Sequence, residues 1–170
     1  MILEYVVIGV GLLIAYFLDG SNIFELGNAI RPDFMAIFII FFALRKGPMF
    51  GLWIGFVGGL LTDAALGGEI GDTGVVFYKI GLHSLVFSVM GYLTGKFARS
   101  AFNENYLSVT IYVMMFTLVS RILIYLVYSL FFHSNLNYSF ISSSLYNGVI
   151  GPVSFFILSW VYRMEAEQNG

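Results

Sequence analysis

RKGPMFGLWIGFVGGLLTDAALGGEIG, residues 45–71, decides how this chain is read. From Pro48 to Leu66 it is an apolar run, opened by Arg45 and Lys46, filled with glycines and carrying one carboxylate, Asp63, near its end. Wound as a helix at ~100° per residue, it gathers Gly51, Gly55, Gly58, Gly59 and Thr62 on one side and Phe50, Trp53, Val57, Leu60 and Leu61 on the other. One glycine face and one bulky apolar face suit a bundle in lipid, where small residues let backbones approach and large ones meet acyl chains. Asp63 stands at the edge of the small face, ~80° from Gly55.

The rest of the chain has the same character. Of 170 residues, 59% are apolar, 18% aromatic and only 11% charged, which excludes an ordinary soluble domain and implies an integral membrane protein. The hydropathy is spread along the whole length, so residues 1–170 read as a single transmembrane domain. Residues 1–18 lack a basic leader and are read as a first span and not as a cleaved signal. The absence of cysteine excludes disulfides and thiolate metal sites, and a net charge of −2 offers no footprint for nucleic acid.

Six spans are expected, at about 2–18, 30–44, 48–66, 75–95, 106–132 and 141–162. The second is awkward: Phe34 to Leu44 makes roughly 16 Å of helix against a ~30 Å hydrocarbon core. It is either extended backwards, with Pro32 opening the helix and Asp33 in its first turn, or it is a short, irregular crossing shielded by its neighbours. Asn147-Gly148 and Gly151-Pro152 predict a kink in the sixth. With both termini cytoplasmic, Arg45, Lys46, Lys96, Arg99 and Arg163 fall inside, against Arg31 and at most Lys79 outside, where Glu69 and Asp72 also lie, a bias that agrees with the positive-inside rule. The fold expected is therefore an all-α six-helix membrane bundle.

Ionisable groups at depth are costly and need a partner or a purpose. Counting ~1.5 Å per residue from the helix ends draws Asp63, Lys79, His83, Arg121 and Asn147 into one polar cluster in the outer half. Three readings of it stay open: buried pairs that fix helix register, a ligand, ion or proton pathway, and a contact for a docking partner helix. His83 and His133 have no acidic or cysteine companions at ligand spacing, so no metal site or other cofactor is expected. Ser142, Ser143 and Ser144 lack a His–Asp arrangement and read as a loop or cap, and no catalytic set is expected.

Four pieces of the chain together resemble the rod shape-determining MreD family: RPDF at 31–34, FALRKGP at 42–48, GFVGGLLTDAALGGEIG at 55–71 and YNGVIGP at 146–152. The resemblance implies a non-enzymatic subunit of the bacterial cell-elongation machinery in the cytoplasmic (inner) membrane. It would work with MreC, a single-span protein, and with MreB, RodA and a class B penicillin-binding protein, and be surrounded by membrane lipid. Gly51, Gly55, Gly58, Gly59, Pro32 and Asp33 are expected to pack helices or to bind the partner, with MreC's helix against the glycine face of the third span. The family's bundle is similar to the S components of energy-coupling-factor transporters, which implies a second reading as a small-molecule-binding membrane subunit. S components dock through an AxxxA face on the first span, where this chain has Gly11 and Ala15. The chain also departs from the family's usual apolar run at Asp72, Lys79 and His83.

Overall fold

The computed structural model describes residues 2–26, 30–65, 68–70, 76–78, 80–103, 105–131 and 140–168. Six helices follow one another: α1 (Ile2–Gly20), α2 (Phe34–Lys46), α3 (Pro48–Ala65), α4 (Leu82–Leu93), α5 (Tyr106–Phe131) and α6 (Phe140–Gln168). A five-residue π-helical turn, Thr94–Ala98, extends α4. Between α3 and α4 lies a short antiparallel pair, β1 (Gly68–Ile70) and β2 (Val76–Tyr78), with Glu69 opposite Phe77.

The fold is the helical bundle expected, with this short hairpin added in one connection, and the hairpin shortens the fourth segment. Residues 76–78 form a strand, so helix begins only at Leu82. Val76, Phe77 and Tyr78 are good strand formers. Gly81, at φ +103° in the left-handed region, then breaks the backbone immediately before the first helical turn.

The awkward second segment turns out to be the core. At 13 residues α2 is roughly 20 Å long, and every side chain from Met35 to Leu44 is buried. A helix that is apolar all round is stable only when neighbours cover all of it. Here α1, α3, α4, α5 and α6 all touch it. Phe41 packs edge-on against Phe155 of α6 at 5.3 Å, and Phe42 against Tyr162 at 6.1 Å between ring centroids.

Gly47 at φ +98° ends α2, its N–H donating to the Ala43 carbonyl, and Pro48 opens α3 where its missing N–H costs nothing. Thus α3 turns back directly along α2.

The glycine face of α3 packs mainly against α4. A Cβ placed on Gly51 would stand 2.3 Å from the Gly91 carbonyl oxygen, and one on Gly91 the same distance from that of Gly51. Gly55 meets the Phe87 carbonyl at 2.3 Å and Gly59 the Ser84 Cα at 2.3 Å. Gly58 faces Met35 of α2 and Leu12 of α1. The two backbones are in van der Waals contact over three turns, the small-residue packing that lipid-embedded helices use.

The outer surface is rich in large apolar side chains, and a few polar ones are buried within the apolar core. The exposed side chains include Val10, Leu13 and Phe17 of α1, Trp53 and Val57 of α3, Ile111 and Met115 of α5, and Val149 and Phe156 of α6. The buried ones include Asp63, Ser84, Thr117, Ser120, Ser143, Ser144 and Asn147. Among the described residues two helices are long and apolar enough to cross a membrane alone, α5 over 106–130 and α6 over 140–162; α1 and α3 carry shorter apolar stretches.

Replacing Gly55 by Leu should drive a side chain into the α4 backbone, which cannot yield as a side chain would, and should lower stability by ~1–3 kcal/mol or more. Gly9, with nothing within 4 Å of its Cβ position, is the control. Thermal unfolding in detergent should show a large loss for Gly55→Leu and almost none for Gly9→Leu.

Candidate functional site

The first turn of an α-helix has four backbone N–H groups without an intrahelical acceptor. Because α2 is shorter than a bilayer and central, its N-terminus is packed among the other helices, and those donors must be satisfied by protein. Asp19, at the end of α1, accepts from Phe34 N at 2.7 Å through Oδ1 and from Met35 N at 3.0 Å through Oδ2. Asp33 is the N-cap, its Oδ1 accepting from Ala36 N at 2.8 Å. Asp33's own N–H donates to Asn147 Oδ1 at 2.7 Å.

Asn147 is fully buried on α6, and its other end is fixed as well. Its Nδ2 donates to Thr117 Oγ1 at 2.9 Å, and that hydroxyl donates to the Val113 carbonyl at 2.8 Å. One side-chain amide therefore joins α5, α6 and the entry to α2. Pro32, buried just before the cap, fixes the approach of the chain.

The charges are arranged to suit a helix start. Asp19 and Asp33 sit close enough to repel each other, and Arg121, one turn beyond Thr117 on α5, lies within electrostatic reach of Asp19. The positive end of the α2 dipole also favours both carboxylates.

A second cap of the same kind joins α3 to α4. Asp63 Oδ2 accepts from Gly81 N at 2.8 Å and Ser84 N at 3.3 Å, while Oδ1 accepts from His83 N at 3.0 Å and lies 2.8 Å from His83 Nδ1. The carboxylate thereby meets four nitrogens, three of them the orphan donors of the α4 N-terminus. Ser84 then donates to the Phe56 carbonyl at 3.0 Å, tying the same turn back to α3.

The single cluster expected from helix depth thus resolves into two networks. Asp63 and His83 belong to the α4 cap; Asn147 and Arg121 belong to the α2 cap, with Asp33. Lys79, and with it an Asp63–Lys79 pairing, lies outside the described residues. Helix depth missed Asp19 and Thr117. The signal was present in the shortness of α2: a helix start inside the bundle needs acceptors, and Asp19 is the acidic residue that ends the preceding span.

The glycine face was expected to pack helices or to bind the partner; in the structure Gly51, Gly55 and Gly59 abut α4, and Gly58 abuts α1 and α2. Gly11 likewise abuts Phe38 of α2, and Ala15 is buried, so the nearest counterpart of an AxxxA docking face points inward. Among the described residues no three His, Asp or Glu side chains are grouped to hold a metal. Chemically, the two networks hold helix ends: their oxygens are engaged by backbone and side-chain N–H groups.

Removing Asp63 should strand several buried donors at once. Asp63→Ala and Asp19→Ala should each cost about 2 kcal/mol or more, the upper range for loss of a cap, and Asn147→Ala ~1–3 kcal/mol for the unsatisfied groups it leaves. Asp63→Asn, which keeps one acceptor oxygen, should fall in between. Unfolding midpoints in detergent, compared with an exposed Asn103→Ala control, would rank them.

Comparison with known proteins adds the identity of the architecture. Searches of curated proteins and of solved structures return no match. The family model described as rod shape-determining protein MreD matches residues 1–164, from the start of α1 into the last turns of α6. With a bundle that is apolar on its outer surface as well as in its core, and a match running through all six helices, the chain belongs to the MreD family of membrane proteins that determine rod shape.

Proposed function

We propose that this protein is a non-enzymatic scaffold of the cell-elongation machinery, which crosses the cytoplasmic membrane six times and binds MreC. Through MreC it joins the MreB filament, RodA and a class B penicillin-binding protein in lateral peptidoglycan synthesis. The observation that carries the scaffold reading is the commitment of the interior. Asp19, Asp33, Asp63 and Asn147 are bonded to helix starts, and the glycines are filled by neighbouring helices. What the bundle offers a partner is its apolar outer surface and its two rims.

Orientation follows from charge. Arg45, Lys46, Lys96 and Arg99 lie at the end where α2 stops and α3 starts, and Lys46 and Lys96 rest over the rings of Tyr162 and Tyr92 at 5.1 Å and 5.7 Å. The capping carboxylates lie at the other end, where Arg31 is paired with Glu25 at 2.9 Å. The basic end is cytoplasmic by the positive-inside rule, with both termini there. MreC's transmembrane helix packs on the lipid-facing surface and not in the glycine seam.

Because the chain has no cysteine, single cysteines can report both topology and contact. Ser21→Cys should react with a membrane-impermeant maleimide in intact spheroplasts, and Arg99→Cys only after permeabilisation; the reverse pattern would invert the bundle. A photocrosslinking residue at Leu13, Trp53, Ile111 or Val153 should capture MreC from at least one helix face. Capture from none of these outward positions would remove direct binding through the membrane surface.

A further inference from the structure

Two short basic pieces of the chain, RKGP at 45–48 and GKFAR at 95–99, are far apart in sequence and meet in the fold. The five-residue π-helical turn that extends α4 carries Lys96, ends directly before Arg99 and packs on both α2 and α3. Such turns are rare and recur at functional sites. Glycine permits the contact. A Cβ on Gly95 would stand 2.6 Å from Pro48 Cα, and one on Gly47 would stand 2.8 Å from Arg99 Nη1. The Arg99 guanidinium thus takes the place of a side chain at position 47, next to Lys46, while Lys96 follows the glycine that rests on Pro48.

Among the described residues neither Lys96 nor Arg99 has an acid partner, and the ion pairs Arg31–Glu25 and His83–Asp63 lie at the opposite end of the bundle. Lys96 Nζ sits over the rings of Tyr92 and Phe97 at 5.7 Å and 5.4 Å, a contact that leaves its charge in place. The positive-inside rule asks for cations in cytoplasmic loops, but it does not ask that two loops be stacked on each other. Like charges held together repel, and an anion between them offsets the repulsion. Lys96 and Arg99 are exposed, and so are the apolar side chains beside them, Met49 and Phe97. Cations, rings and exposed apolar groups at one corner mark the boundary between hydrocarbon and headgroups, which favours a lipid over an acidic protein segment.

We infer that the Gly47–Pro48 corner and the π-helical turn form a binding site for the headgroup of an anionic phospholipid. Its phosphate lies against Lys96 and Arg99 in the field of Lys46, and its acyl chains run along Met49 and Phe97. The bound headgroup bridges the start of α3 and the end of α4, at the far end of their glycine seam from the Asp63 cap. The site needs a membrane around the bundle and works in either leaflet.

The test uses the whole protein in nanodiscs of equal phosphatidylglycerol and phosphatidylethanolamine, followed by detergent extraction and native mass spectrometry. The wild type should retain phosphatidylglycerol preferentially. Lys96→Gln and Arg99→Gln should each lower that preference about five-fold, the effect of one cation at a membrane surface. Lys96→Arg, which keeps the charge, should preserve it, and so should Arg31→Gln, which removes one positive charge at the opposite rim. Retention that mirrors the bulk composition would overturn the proposal. So would an unchanged preference in both glutamine variants at the corner, an equal loss in Arg31→Gln, or capture of an acidic protein and no lipid by a photocrosslinking residue at Phe97.

Discussion

The structure depends on a helix too short for its surroundings. α2 is wholly apolar over its buried length and sits among the other helices, so its side chains raise no difficulty, but its first backbone N–H groups do. In hydrocarbon an unsatisfied N–H costs several kcal/mol, and the chain meets the need from three directions. Asp19 arrives from α1, Asp33 from the residue before the helix and Asn147 from α6. Each acceptor belongs to a different part of the sequence, so satisfying one helix end fixes the relative positions of several helices. Asp63 repeats the device for α4, and between them the two caps account for most of the buried acidity described.

Glycine supplies the other constraint. Caps set where helices begin, while the α3–α4 seam sets how close they lie. Gly51 and Gly91 approach each other's carbonyls reciprocally, which leaves no volume for a Cβ on either. The seam makes α3 and α4 a single unit, and its outer surface, with Trp53 edge-on to Phe56 at 6.2 Å, is exposed. A surface that consists of bulky apolar side chains over a close-packed backbone is well suited to lateral association with a further helix, which is the role the scaffold reading assigns to it.

Much of this was legible in the residues. Composition gave a membrane bundle, the RKGP corner gave the end of one helix and the start of the next, and the glycine spacing gave a close-packed face. What the sequence hid was the identity of the neighbour. Periodicity places Gly55 on a face but does not say whether that face meets α4 or another protein. Depth along a helix places Asp63, Arg121 and Asn147 in the same half of the bundle but says nothing of their angles around it, so two networks looked like one. Asp19 was overlooked because a charge after an apolar run reads as a loop residue unless the needs of a distant helix start are counted. The β1–β2 hairpin was lost for a simpler reason: Val76-Phe77-Tyr78 is as apolar as a helix end, and only Gly81 marks the boundary.

The two ties between α2 and α6 share one further property. Asp33 to Asn147 and Arg45 to Ser159 each span 114 positions of sequence, so the second and last helices run parallel and in register, and the last clamps both ends of the second. During synthesis α2 leaves the ribosome long before either clamp exists. Its start therefore waits through the arrival of α3, α4 and α5 with the Asp33 N–H lacking its final acceptor, and the bundle closes only when α6 enters. The last helix to be made thus supplies the ties at both ends of the central one.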